Sequence, residues 1–287
     1  MGSDAMSATI IDGKQYALTV CEGIKARVDR LRAQGTTPKL AVVLVGDDPA
    51  SAVYVRNKCK KGEALGVEVE VHRFDASVTM EELFTLIDRL NGDNSVHGVI
   101  IQSPVPEPLE LKKLLIRVDP KKDVDGIHPH NQGMLLSDQA QLVACTPKGV
   151  IKLIESTGTV IRGKRAVVVG RSCLVGKPCA MLLMNNDATV SVCHSKTVDL
   201  GALTREADIL VCAVGHPGLI SADMIKPGAV VIDVGMNRVN DRWEGDVDFE
   251  GARETASFLT PVPGGVGPMT VAMLMDNTVL AAESTQR

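Results

Sequence analysis

A chain of 287 residues, 45% hydrophobic and 23% charged, has a globular composition and is long enough for two ordinary α/β domains. A net charge of -4 argues against nucleic acid or an anionic membrane as the main partner, and with aromatic residues at 2% and Trp243 the sole tryptophan, base-stacking platforms are scarce. Seven scattered cysteines with no CxxC pair and no zinc spacing read as reduced thiols of a cytoplasmic protein.

Met1 to Ala5, ahead of a second methionine, reads as a stretch appended in cloning and is set aside; neither a signal peptide nor a membrane span is visible. From Ile10 to about Gln34 the apolar spacing predicts a helix, stopped by Gly35. Leu40 to Val45 is an unbroken apolar run, hence a buried strand, and Asp48 or Ser51 can cap the helix from Ala50 to Leu65. Val67 to His72 alternates as a half-exposed strand, Thr79 to Glu82 is a capping box for a helix to about Leu90, and Gly98 to Ile101 is a short buried strand. Leu109 to Val118 reads as a helix, and Asp123 and Asp125 follow in a polar turn whose carboxylates lack the companions a metal site needs. Thr146 as N-cap with Pro147 opens a helix to Ser156, where the domain boundary is placed.

Alternating strands and helices imply a parallel sheet, whose ligands sit beyond the carboxyl ends of the strands. Further buried strands are expected at Ala166–Val169, Ala188–Cys193, Ala207–Ala213 and Ala229–Val234. A tight turn from Thr260 to Thr270 then feeds an apolar helix, Val271 to Ala282. The strand ending at Val169 runs into Gly170-Arg171-Ser172, with Gly176 opening a helix, the arrangement in which backbone N–H groups and the helix dipole receive phosphate. The spacing is not GxGxxG, so a plain structural turn stands beside that reading. The next strand ends in His194-Ser195-Lys196-Thr197 without a carboxylate, which suits the 2′-phosphate of NADP better than the ribose hydroxyl of NAD; a polar loop capping the next helix is the alternative. Tyr54 and Lys58 share a helix face at a strand end, where a desolvated lysine can transfer protons, although a solvated helix face would look the same.

Taken together, Tyr54-Val-x-x-Lys58, His97-Gly-Val-x-x-Gln102-x-Pro104, Lys122-Asp-Val-Asp-Gly126, Thr146-Pro-Lys-Gly149, Gly170-Arg-Ser-x-x-Val-Gly176, Cys193-His-Ser-Lys-Thr197 and the eleven residues Thr260 to Thr270 resemble the bifunctional methylenetetrahydrofolate dehydrogenase/methenyltetrahydrofolate cyclohydrolase family, in order from Ala8 to Ala282. The resemblance implies an α/β fold of two domains with an active-site cleft between them. Residues 6–146 would be the folate-binding catalytic domain, with the C-terminal helix 271–287 packed back onto it, and 147–270 a Rossmann-like NADP-binding domain. It implies a homodimer, NADP as cofactor, a tetrahydrofolate-derived substrate and no metal. Lys58 would be the base of a hydrolytic step, with Gln102 bonded to it, Tyr54 orienting the folate ring and Asp125 holding the pterin. Ser51, Gly265 and Pro268 would lie at the substrate, and Gly170, Arg171, Ser172, Gly176, Ser195, Val234 and Gly235 at the cofactor. One departure is Gln102-Ser103-Pro104-Val105-Pro106, where the family usually has leucines at the second and fourth places. A single-activity dehydrogenase would lack Lys58 or Gln102, and a non-catalytic nucleotide-binding module would lack the coherent polar set; both alternatives therefore fit less well.

Overall fold

The computed structural model describes residues 7–285; Met1–Ala5, read above as appended in cloning, lies outside them. The chain begins with β1 (Thr9–Ile10), α1 (Gly13–Ala33), β2 (Lys39–Val45), α2 (Pro49–Leu65), β3 (Glu68–Phe74), α3 (Met80–Gly92) and β4 (Gly98–Ile101). Helices α4 (Leu111–Arg117), α5 (Pro129–Leu136) and α6 (Cys145–Ser156) lead to β5 (Arg165–Val169), α7 (Gly176–Asn185), β6 (Thr189–Cys193), α8 (Leu200–Thr204) and β7 (Ile209–Cys212). The last part holds β8 (Val230–Asp233), β9 (Asn237–Val239), β10 (Arg242–Glu244), α9 (Phe249–Arg253), β11 (Phe258–Leu259) and α10 (Val266–Ser284). Two compact units result: residues 7–18 with Thr146–Thr270, and Thr19–Cys145 with residues 271–285.

In the second of these units a parallel sheet runs β3-β2-β4. The run Leu40 to Val45 is buried throughout, as the central strand of a covered parallel sheet must be. Its core joins Val43, Val45, Ile101, Leu83, Ile87 and Leu114. The expected capping box forms: Glu82 N donates to Thr79 Oγ1 at 3.3 Å and Thr79 N to Glu82 Oε2 at 2.9 Å. Asp48 caps α2 by accepting from Ser51 N at 2.7 Å, and Gly66 ends that helix in the left-handed region. In the same unit α10 meets α1 through Arg27, which holds Glu283 with two parallel bonds of 2.9 and 2.7 Å and pairs with Asp276.

The other unit is a six-stranded, all-parallel sheet in the order β1-β11-β8-β7-β5-β6. Strand order reverses at β5, which has β6 on one side and β7 on the other, so the crevice for a ligand opens beyond the carboxyl ends of β5 and β7. Val167, Val169, Leu210, Val231 and Leu259 fill the core on one face.

Three local expectations are corrected. Ile10 is a strand residue, paired with Leu259, and the helix starts only at Gly13 after Asp12 accepts from Gln15 N. Thr146 is not the cap of α6 but lies inside its first turn, where its Oγ1 shares a 2.9 Å hydrogen bond with Thr270 Oγ1. Helix α10 starts at Val266 rather than Val271; Pro268 is tolerated in its first turn because the N–H it lacks would have no helical partner there. Among the described residues no helix is long and apolar enough to cross a membrane.

Arg27→Ala leaves two part-buried carboxylates facing each other without their cation. It is expected to lower stability by about 1–3 kcal/mol, seen as a fall in the urea midpoint at unchanged slope; an unmoved midpoint would show that the triad contributes nothing net.

Candidate active site

The turn after β2 and the start of α2 bring Lys58 to the carboxyl end of β4. There its Nζ donates to Gln102 Oε1 at 2.9 Å. Gln102 Nε2 in turn donates to the carbonyl of Ser103 at 2.8 Å, which fixes the amide with its oxygen toward the lysine. The same carbonyl accepts from Ser51 Oγ at 3.3 Å, and Ser51 is buried. Burial pushes the Lys58 ammonium below its ordinary pKa, while the charge of Asp125 and the Cys145 thiol pull it back up. Desolvation raises the pKa of the Asp125 carboxyl, opposed by Lys58 and by a hydrogen bond with Cys145, and Asp123 raises it further. Tyr54 lies one turn before Lys58 and is 45% exposed, so its ring is open to a ligand.

Asp123 and Asp125, alike in sequence, part company here. Asp123 is buried and its Oδ2 accepts from His128 N and Asn131 Nδ2, both at 2.8 Å, so it organises the turn and the unforeseen helix α5. Among the described residues no group of three or more His, Cys, Asp or Glu could hold a metal ion. Asn277, fully buried on α10, donates to the carbonyls of Val124 and Val143, each at 2.8 Å, and so fixes the backbone beside Asp125.

In the other unit Gly170 follows β5 at φ +124°, and a Cβ there would lie 2.2 Å from the Ala213 carbonyl, so only glycine fits. Ser172 Oγ accepts from the amides of Val175 and Gly176 at 3.1 and 3.3 Å and so shapes the entry to α7, leaving Arg171 exposed at the turn. Val169 pairs with Cys193, which puts Arg171 and Ser195 two residues beyond neighbouring strand ends; adjacent strands lie about 4.8 Å apart. Ser195 and Lys196 are exposed in a turn closed by His194 N to Thr197 Oγ1 at 2.9 Å. An arginine, a hydroxyl and a lysine with no acid among them fit a 2′-phosphate. Val234 and Gly235 follow β8, and Gly265 and Pro268 lie at the start of α10 in this unit, whereas Ser51, Tyr54 and Asp125 belong to the other.

A family model described as tetrahydrofolate dehydrogenase/cyclohydrolase, catalytic domain, matches residues 11–125, and one described as its NAD(P)-binding domain matches residues 144–286. The chain belongs to the tetrahydrofolate dehydrogenase/cyclohydrolase family. Among its relatives, the bifunctional protein FolD of Exiguobacterium sp. strain AT1b is 54% identical over 275 residues, covering 96% of this chain and 99% of the relative. The crystal structure of the bifunctional FolD methylenetetrahydrofolate dehydrogenase/cyclohydrolase from Campylobacter jejuni is 44% identical with a TM-score of 0.94, covering 97% of this chain and 100% of that one. The Trypanosoma brucei enzyme, solved with NADP cofactor and inhibitor, is 39% identical with a TM-score of 0.92 and covers 98% of this chain and 99% of its own.

Within the NAD(P)-binding domain that this family shares, sequence reasoning passed over Asp233 and Asp246 and took Thr260 only as the start of a turn; all three are buried. Asp233 sits at the end of an apolar run, which was the one available signal; Asp246 lies in a charged stretch that reads as surface. Asp233 Oδ1 accepts from Gly235 N and Asp246 N at 2.9 and 3.0 Å, Oδ2 from Val247 N at 2.9 Å, and Thr260 Oγ1 receives Asp233 N at 2.7 Å. Desolvation nonetheless raises the Asp233 pKa from 3.8 to about 6. A raised carboxyl contributes stability that is present below 3.8 and lost as pH rises through about 6. Wild-type stability relative to Asp233→Asn is therefore expected to fall by about 2 kcal/mol between pH 4 and 7, measured by urea unfolding at each pH; a flat difference would contradict the burial argument.

Proposed function

We propose that Lys58, held on Gln102, is the proton-transfer group of the hydrolytic step in an enzyme that carries out two reactions. The enzyme oxidises 5,10-methylenetetrahydrofolate with NADP to the 5,10-methenyl compound, and hydrolyses that to 10-formyltetrahydrofolate. The single observation that carries the assignment is the 2.9 Å bond from a lysine whose pKa burial lowers to a glutamine oxygen whose orientation is already fixed.

Bound NADP supplies the hydride acceptor, and Arg171 with Ser195 would hold its 2′-phosphate. Losing hydride from a carbon between two nitrogens yields a resonance-stabilised cation directly, so this step needs positioning rather than a base. Tyr54 and Asp125 supply it on the folate side, the ring by stacking and the carboxylate by accepting from the pterin's N–H groups. Ser51, at the start of α2, belongs to the folate side with them. Hydrolysis then adds water to the cationic carbon. A neutral Lys58 donates one N–H to Gln102 and keeps its lone pair for the water's proton. The bond from that carbon to N5 breaks as one proton passes to N5 and one is released, which balances the reaction. On this reading the enzyme works as a cytoplasmic homodimer, in keeping with the family resemblance.

Lys58→Met is expected to slow hydrolysis of the methenyl compound by about 10²–10⁴-fold while hydride transfer remains measurable, followed by the decay of methenyl absorbance and the appearance of NADPH. Equal loss of both activities would overturn the role. Asp125→Asn removes a charge that holds the Lys58 pKa up, so where residual hydrolysis is measurable its acid limb moves to lower pH.

Arg171→Ala is expected to raise KM for NADP by about 10–100-fold and to leave that for NAD nearly unchanged. Steady-state kinetics with both cofactors check this, and an unaltered ratio would refute the phosphate contact.

A further inference from the structure

Between β10 and α9 lies a fully buried acid outside the set assigned above, Asp246. Its two oxygens collect four hydrogen bonds. Oδ2 accepts from the amides of Val214 and Gly215 at 2.7 and 3.1 Å, and Oδ1 from the amide of His216 at 2.9 Å and from Asn237 Nδ2 at 3.0 Å. Three consecutive amides gathered by one carboxylate leave that stretch of backbone little freedom, because each bond is charge-assisted. The stretch is the loop leaving β7, beside the point where strand order reverses, and the residue just before it, Ala213, presses its carbonyl on Gly170 of the phosphate turn. Val214, Gly215 and His216 are all exposed, so the loop turns its amides inward to Asp246 and its outer face to solvent.

Asp246 is itself anchored. Its amide donates to Asp233 Oδ1, which also takes the amide of Gly235 after β8. A Cβ on Gly235 would lie 2.3 Å from Asp246 Oδ1, so the space beside β8 is given over to this carboxylate. One acid thus couples the loop after β7 to the turn after β8, the two segments that follow neighbouring strands.

We propose that Asp246 is a positioning residue for the dinucleotide: by gathering the amides of residues 214–216 it sets the shape of the crevice wall after β7, without touching the cofactor itself. The proposal rests on the reading that this unit binds NADP.

Asp246→Asn keeps the side chain's shape but turns an NH2 toward amides that need an acceptor. Calorimetric titration of the whole enzyme with NADP is expected to give a Kd about 10–100-fold weaker, with kcat at saturating cofactor within about two-fold of wild type. In the unloaded enzyme, amide exchange at residues 214–216 accelerates while the strands of the sheet keep their protection. Asn237→Ala, which removes one bond of the four, weakens Kd by about 2–5-fold and keeps the test open where Asp246→Asn fails to fold. An unchanged Kd in either folded variant, or a fall in kcat at unchanged Kd, overturns the proposal. Wild-type enzyme that takes up no NADP overturns the cofactor reading, and the proposal with it.

Discussion

Burial disfavours the charged form of Lys58, and much of the nearby structure bears on that one cost. An ammonium removed from water loses several kcal/mol of hydration unless it finds an anion or gives up its proton. Here it is offered both outlets: a carboxylate close enough to pull its pKa up, and burial enough to push it down. A lysine whose pKa burial lowers gives up its proton more readily than an exposed one, which is what proton transfer requires. The balance depends on backbone that does not move. Asp48 fixes the start of α2, Gln102 N continues the sheet by donating to the Val43 carbonyl at 2.8 Å, and Asn277 fixes the carbonyl next to Asp125.

The acids at the strand ends divide by what their oxygens accept. Asp123, Asp233 and Asp246 take main-chain amides, and a carboxylate surrounded by amides serves as an internal substitute for secondary structure where the chain has left the sheet. Asp125 has instead the opposed charge of Lys58 and a thiol, and is the member of this group with an electrostatic reason to meet something else. Of two aspartates two residues apart in one turn, one thus frames the backbone and the other faces a lysine. The distinction lies in which amides the fold happens to direct at each, and no spacing rule carries that information.

Where the sequence was readable, it was so because local and global preferences agree. Leu40 to Val45 and Ala166 to Val169 are continuous apolar runs, and they are buried central strands; Thr79 and Glu82 form a capping box from their types and spacing alone. The Lys58–Gln102 neighbourhood followed from a family resemblance together with the rule about strand ends, since periodicity on its own could not separate Lys58 from Lys60 and Lys61. What was not readable depends on distant partners. Thr9–Ile10 is too short to announce a strand, and is one only because Phe258 and Leu259 lie alongside. Thr146 has every local mark of a cap, yet a hydroxyl 124 residues away takes its side chain and the helix begins one residue earlier. Asp246 looks like surface among its charged neighbours, and is buried because the amides of residues 214–216 need an acceptor.

The serine at 103 makes the same point from the other direction. A hydroxyl replaces an apolar side chain next to the glutamine that holds Lys58, which from sequence threatens the packing of the site. In the structure the part of Ser103 that matters is its carbonyl, the common acceptor for Gln102 Nε2 and Ser51 Oγ, while the residue as a whole is exposed. Every residue type supplies that carbonyl. The constraint at this position therefore falls on backbone conformation, and the orientation of Gln102, on which the lysine's hydrogen bond depends, survives the change of side chain.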